Sequence, residues 1–373
     1  MNALQDITVV SLEQAVAAPL CARRLRLAGA RVIKVERPEG DFARSYDTVA
    51  AGHSSYFAWL NAGKESLVLD LRTPDDLDYL RTLIGRADVL IQNLKPGALQ
   101  GLGLDFEALH AAHPGLISMS IAGFNPKGPG ASRKAYDLLM QAESGLASIT
   151  GTPEGPGRVG VSLVDLATGM FAYEAILTAL IARGRSGRGA ALDVSLFDAV
   201  SEWMSVPLLF HTLGDGAPVR VGLAHPGICP YGVFASSEGK QFVLSIQNER
   251  EWQRLCGAGL PANSLLEDPR CLDNPTRVAH RSFVDATLSD LFAQSDYATN
   301  ARRLDAADLA FAPVNSVADL AEHPDLHTHE VRVGGELVHL PIVPGQPVHE
   351  VLSVPELGEH SDTIKAWLDK VAS

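Results

Sequence analysis

The chain is short of cysteine, of positive charge and of long apolar runs, and each shortage excludes something. Only four cysteines, Cys21, Cys229, Cys256 and Cys271, occur in 373 residues, at spacings that pair none with another. That excludes a disulfide framework and a cysteine-based zinc site, and leaves reduced, partly buried thiols. Lys and Arg number 31 against 44 Asp and Glu, a formal net charge of -13. Nucleic acid and anionic membranes both need a basic face, so neither is expected as a partner. No run of about 18 apolar residues spans a bilayer, and Met1-Asn2-Ala3-Leu4-Gln5-Asp6 lacks the basic-then-apolar order of a signal peptide. The expectation is a soluble, cytoplasmic protein without repeats or low-complexity stretches.

What is present is a hydrophobic content of 46% over a length that can bury a sizeable core and fill two domains. Strand patterns at 7–12, 31–36, 66–70, 88–92 and 116–121 alternate with helical ones at 18–28 and 74–86. Such alternation predicts an α/β fold with a doubly wound, mostly parallel, Rossmann-like sheet. Ligands of these sheets sit beyond the carboxyl ends of the strands, which points to Gln14, Ala15, Val16 and Arg37, and to Asn93 and Lys95. An amide there can grip a ribose or adenine, and an ammonium can meet a phosphate. The first turn, Glu13-Gln14-Ala15-Val16-Ala17, carries no Gly-x-Gly-x-x-Gly, which argues against a dinucleotide dehydrogenase. Arg23, Arg24, Arg26, Arg31, Lys34 and Arg37 concentrate charge within fifteen residues, as a polyphosphate patch or as a solvated helix face. The Gly- and Pro-rich loop 125–130 reads as a mobile lid.

A smaller α+β domain is expected after a helix over 195–207. Its signals are a hairpin turning at Glu238-Gly239-Lys240 and helices around 248–257, 276–294 and 297–307. The reading places the large domain at 1–205, completed by 335–373, the small domain at 222–330, and linkers at 205–222 and 330–345. A last helix near 361–370 packs back on the large domain. His225, beside a Pro-Gly turn, reads as structural before catalytic, and the spacing of His323, His327 and His329 cannot hold three ligands on one helical face.

Asp165 opens a nearly uncharged segment, Val161 to Ala182, that reads as an enclosed helix. One reading makes it an N-cap for the first-turn amides. The other has those amides and the helix dipole hold an ionised nucleophile.

Several short segments add to this in a fixed order: 9–19, 27–38, 61–71, Gln92-Asn93-Leu94-Lys95-Pro96-Gly97, Tyr136-Asp137 with Gln141 to Gly145, the Asp165 segment, Gly187-Arg188-Gly189 before 192–196, 230–234 and Leu357-Gly358-Glu359-His360. In their order and spacing the chain resembles the family III CoA-transferases over nearly its whole length. The resemblance implies an interlocked homodimer and CoA contacts from Gln14, Ala15, Val16, Arg37, Leu69, Asn93, Lys134 and Tyr136, with Lys95 on a phosphate. It places the nucleophile on Asp165. No cofactor is implied as permanently bound; the coenzyme A thioester is substrate. CoA would pass from a donor such as succinyl-CoA to a small carboxylic acid, such as itaconate, mesaconate or citramalate, through an aspartyl anhydride and an aspartyl-CoA thioester. The oxyanions so formed call for backbone amides, for which the start of the Asp165 helix is a candidate. A dicarboxylic acceptor needs a cationic anchor, with Arg44, Arg133, Arg158 and His225 as candidates. Two positions depart from the family pattern: Ala62-Gly63 replaces the more usual Arg-Asn before Lys64, and Gly101 stands where some members place Arg. The α-methylacyl-CoA racemases of the same superfamily are the runner-up, but their His before the Asp is Tyr136 here, a poor base. A non-catalytic CoA-binding subunit ranks third.

Overall fold

The computed structural model describes residues 2–214, 216–346 and 350–372. Six parallel strands form its main sheet: β1 (Thr8–Leu12), β2 (Arg31–Glu36), β3 (Glu65–Val68), β4 (Val89–Gln92), β5 (Ile117–Ala122) and β6 (Ala191–Ser195), in the order β3-β2-β1-β4-β5-β6. The inner strands β1, β4 and β5 are buried on both faces and read as apolar runs, whereas the edge strand β6 leaves Ala191 and Asp193 exposed. Val9, Val32, Val89 and Met119 pack into one core with the helices Ala17–Leu27 and Leu163–Ser186. Their neighbours Val10, Ile33 and Leu90 pack into the other, with Pro74–Ile84, Phe106–Ala112 and Ser361–Ala372. The outer edge of β3 is closed from the far end of the chain. His360 N–H donates to Ser66 O at 3.0 Å, Ser66 N–H to His360 Nδ1 at 3.3 Å and Val68 N–H to Ser361 Oγ at 3.2 Å.

The helix Leu163–Ser186 has the length and composition of a membrane span, which the count of apolar runs did not anticipate. It is a core helix on one face: Val164, Ala167, Ala172 and Ile176 are buried. Gly169 permits its approach to Ala17–Leu27, since a Cβ there would lie 2.7 Å from Ala17 O and 2.9 Å from the Leu20 side chain. The expectation of a helix enclosed all round fails, because Met170 and Ile181 are exposed.

The chain divides into two compact units, Met1–Leu146 with Val159–Val206 and His327–Ser373, and Ala147–Arg158 with Pro207–Leu326. Ala147–Arg158 was read as part of the large domain. It belongs to the second unit because Gly222 N–H donates to Gly151 O at 2.9 Å and the Arg220 guanidinium donates to Ser148 O and Thr152 O. Neither expected linker is free chain: Ser205–Leu213 is helical within 205–222. Most of 330–345 lies in a hairpin of β10 (Thr328–Val333) and β11 (Glu336–Pro341), turned by Gly334 and Gly335 with positive φ and joined by β12 (Leu352–Ser353).

The second unit carries an antiparallel sheet of β7 (Tyr231–Ala235), β8 (Gln241–Ser245) and β9 (Ala310–Pro313), in the order β9-β8-β7. Phe234, Phe242, Leu244, Trp252, Val284 and Phe292 form its core. The helix read at 276–294 is two, Asn274–Ala279 and Arg281–Phe292, broken at His280. It starts early because Asp273 caps it, accepting from Thr276 N–H, with a proline in the first turn.

Candidate active site

The sheet reverses its strand order between β1 and β4, and the residues that leave these two strands meet there. Gln14 N–H donates to Asn93 Oδ1 at 2.9 Å, and Asn93 Nδ2 donates to Gln14 O at 2.8 Å. The Asn93 side chain, expected to grip a nucleotide, is thus spent on the main chain. Ala15 next to it adopts φ +62°, a conformation that disfavours a side chain, and its N–H reaches Asp41 Oδ1 at 3.3 Å.

Asp41 belongs to a buried ion network beneath this turn. Lys34 Nζ donates to Asp41 Oδ2 at 2.9 Å and to Glu13 O at 3.2 Å, while Lys64 donates to Glu13 and, at 3.0 Å, to Pro19 O. Burial alone would push the Glu13 carboxyl up, but Lys64 and Lys34 outweigh it and hold it below the usual carboxylate range. Glu36 takes both arms of Arg44, at 2.8 and 2.7 Å, and the Ser66 hydroxyl at 2.7 Å. Burial opposes its charge, yet these partners bring it down to about 2.

The expected basic patch is therefore mostly internal. Arg23 and Lys34 are buried, Arg31 pairs bidentately with Glu65 and stacks over Trp367, and Arg26 binds Gly63 O and Glu350. Arg37 is the one of the six that lines the cavity at the ends of β1, β2 and β3, a space of about 400 Å³ that also takes in Gln14 and Leu69. A second cavity of about 280 Å³ holds Lys95 with Gln92, and Leu94 lines both.

Asp165 is the third residue of its helix, and it is not the cap. Ser162 precedes the helix without capping it. The cap is Asp137, whose Oδ1 accepts from Val164 N–H at 2.8 Å and Asp165 N–H at 3.4 Å. Gln141 Nε2 donates to Asp137 Oδ2 at 2.7 Å, and Gln141 Oε1 accepts from Val159 N–H at 2.9 Å. The amides expected to hold Asp165 ionised, or to serve as oxyanion donors, are thus taken. Among the described residues Asp165 keeps no side-chain hydrogen bond, and burial followed by the Asp137 charge pushes its carboxyl up to about 7.

The charge of Asp165 reaches the Tyr46 hydroxyl. Partial burial, then the carboxylates of Asp41 and Asp165 with Tyr136 behind them, push the Tyr46 hydroxyl up to about 12. Tyr46 meets Tyr56 edge to face at 5.7 Å, and Tyr56 Oη lies 3.4 Å from Ser162 Oγ. Tyr136 is 61% exposed and precedes the helix Asp137–Glu143, with Lys134 exposed two residues earlier.

A switch-point cavity and a lone carboxylate at a helix start are features many α/β enzymes share, and comparison with known proteins decides between them. The profile of CoA-transferase family III matches residues 4–361. The chain belongs to the family III CoA-transferases. It is 33% identical to a succinate–glutarate CoA-transferase of Agrobacterium fabrum, over 99% of this chain and 96% of that one. It is 34% identical to an acetyl-CoA:oxalate CoA-transferase of Acetobacter aceti, over 96% and 94%. The crystal structure of a CaiB/BaiF family protein from Brucella suis superposes with a TM-score of 0.83 at 34% identity, covering 97% of this chain and 98% of that one.

Of the residues that resemblance to family III CoA-transferases selects, Gln14, Arg37 and Leu69 share one cavity and Lys95 lines the next. Ala15 and Val16 lie on the turn beside them. Tyr136 and Asp165 both bear electrostatically on the Tyr46 hydroxyl. Of the four anchors considered for an acceptor carboxylate, two arginines are engaged elsewhere: Arg44 with Glu36, and Arg133 bidentately with Glu143 at 2.5 and 2.7 Å. His225 Nδ1 accepts from Gly227 N–H at 3.1 Å while its ring stacks on Tyr231 at 5.5 Å. Among the described residues no group of three or more His, Cys, Asp or Glu is placed to hold a metal. Sequence reasoning missed the roles of Asp137 and Gln141, although their i, i+4 spacing marks a helix-surface pair, and it missed Tyr46 and Tyr56 entirely.

Proposed function

We propose that this family III CoA-transferase moves CoA from an acyl-CoA donor, succinyl-CoA or a similar dicarboxylyl-CoA, to a small carboxylic acid, with Asp165 as the nucleophile. The observation that carries the reading is the Asp165 carboxylate itself: unbonded among the described residues, set against Asp137, and made basic. The glutarate and oxalate named for its relatives support acids of this size. Asp165 attacks the thioester carbonyl, the C–S bond breaks, and the thiolate leaves a mixed anhydride. The thiolate then attacks the aspartyl carbonyl and expels the donor's carboxylate, giving the aspartyl-CoA thioester. The acceptor carboxylate attacks that thioester, and the released thiolate takes the acceptor's acyl group from the second anhydride, returning Asp165 free. Each pair of steps, anhydride formation followed by thiolate return, replaces one carboxylate by another on CoA, so the exchange needs no large net driving force.

The CoA nucleotide is assigned to the cavity of Gln14, Arg37 and Leu69, with Ala15, Val16, Lys134 and Tyr136 along its path, Lys95 on a phosphate and Asn93 shaping the turn. A homodimer is part of the same reading. Met170, Ile181, Trp203 and Val206 are exposed apolar side chains of the first unit, and they support a partner surface there.

Purified protein incubated with succinyl-CoA and a panel of short acids, as wild type and as Asp165→Ala, tests this by mass spectrometry of new CoA thioesters. Transfer that vanishes in the variant is expected. α-Proton exchange on a branched acyl-CoA without transfer would install the racemase reading, and neither activity would leave a CoA-binding subunit.

A further inference from the structure

An N-cap is ordinarily the residue just before the first turn, so that the helix carries its own cap. The helix Leu163–Ser186 does not: Ser162 at that position makes no side-chain bond to it. The carboxylate that does the capping comes from a separate helix, 27 residues before Val164, and is only 8% exposed. It is held from the other side by Gln141, which also takes Val159 N–H, so that one Asp–Gln pair fastens both the approach to the Asp165 helix and its first turn. Tyr56 Oη stands 3.4 Å from Ser162 Oγ at the start of this helix, and the Asp41 and Asp165 carboxylates with Tyr136 bear on the Tyr46 hydroxyl. Among the described residues no cation is within ion-pair distance of Asp137 or Asp165.

Resting on the reading of Asp165 as nucleophile, we propose that Asp137 is its positioning residue, capping the nucleophile's helix while keeping a second negative charge beside the reacting carboxylate. Two consequences follow from that placement. The amides that would have solvated Asp165 are occupied, so its oxygens stay bare toward the substrate. The free carboxylate is also disfavoured relative to any form in which it is acylated, because the anhydride and the CoA thioester of Asp165 are both uncharged. Forming either one removes a like-charge contact, and the attack that makes it moves charge away from Asp137 toward the departing thiolate. A charge-free cap would keep the helix start in place and lose this effect.

Asp137→Asn removes the charge while its amide oxygen still accepts from the helix, at the cost of the bond from Gln141 Nε2, which then faces a second donor. The acid limb of kcat/KM for CoA transfer, followed from pH 5 to 9, is expected to move down by about one unit, raising the ratio of rates at pH 5.5 and pH 8 about tenfold over wild type. Asp137→Glu keeps the charge and displaces it; its limb should stay within about half a unit of wild type while kcat falls. An unmoved limb in a folded Asp137→Asn protein overturns the proposal, as does a limb in Asp137→Glu shifted as far as in Asn. If Asp137→Asn does not fold, the Glu variant decides alone, a wild-type limb supporting the proposal and a shifted one overturning it. Absence of transfer in the wild type defeats the underlying reading instead, so the two failures are distinct.

Discussion

Asn93 and Gln14 close a ring of two hydrogen bonds, at 2.9 and 2.8 Å, across the point where the sheet reverses its strand order. The ring ties the end of β4 to the turn after β1, and with Asp41 it holds Ala15 at a positive φ. Shape at this turn is therefore set by side chains rather than by glycine. Replacing Asn93 by Ala removes both bonds, worth roughly 1 kcal/mol each, and should raise KM for acyl-CoA about tenfold with a smaller change in kcat. Asn93→Asp keeps the acceptor and should fall between. Steady-state kinetics with an unchanged KM would show that the ring does not shape the CoA site.

Asp165 contributes to stability with the opposite sign from a paired carboxylate. Its folded value of about 7 lies above the ordinary aspartate value of 3.8, so between those values the folded state binds more protons and stability declines as pH rises. Asp165→Asn should abolish transfer and raise the melting temperature at pH 8 but not at pH 4. The gain at pH 8 should be on the order of 2–4 kcal/mol. Calorimetry at the two pH values checks it, and equal shifts at both would contradict it.

Glu36 behaves the other way. Held at about 2 against an ordinary 4.5, it stabilises fully above pH 4.5, and the contribution is lost as pH falls toward 2. Its loss is worth on the order of 3 kcal/mol. Arg44→Met strands the buried carboxylate and should destabilise the protein at pH 7 while flattening acid unfolding between pH 4.5 and 2. A variant that unfolds along the wild-type acid curve would sink this account.

Gly169→Ala places a methyl group 2.7 Å from Ala17 O, against main chain that cannot step aside. The expected cost is about 1–3 kcal/mol, read as a shifted denaturant midpoint at unchanged slope. Gly184, with open space around it, is the control: Gly184→Ala should be neutral or stabilising.

Five strands of the sheet were legible because their buried centres leave apolar runs; β2 lies at 31–36 as read and β1, β3, β4 and β5 within a few residues, whereas β6, with Ala191 and Asp193 exposed, was not read as a strand. Charge was less legible. Counting Arg23 to Arg37 reveals cations but not the acids that face them from elsewhere, Glu13, Asp41 and Glu65, so a set of internal partners looked like a surface patch. Asp165 stood out by composition, whereas Asp137 did not, since its partners Val164 and Asp165 are main-chain amides 27 and 28 residues away. The helix break at His280 leaves no proline or glycine in the sequence to announce it.

The closure of β3 by residues 360 and 361 has a consequence for the order in which the protein is made. As the chain leaves the ribosome, all six strands are complete by Ser195, yet the outer edge of β3 has no partner until His360 and Ser361 emerge. Ile364 and Leu368, which bury against the same side of the sheet, arrive later still. For more than 160 residues of synthesis the nascent sheet offers an open strand and an apolar face that lacks its last covering helix to other chains, which makes it a natural client for a holding chaperone.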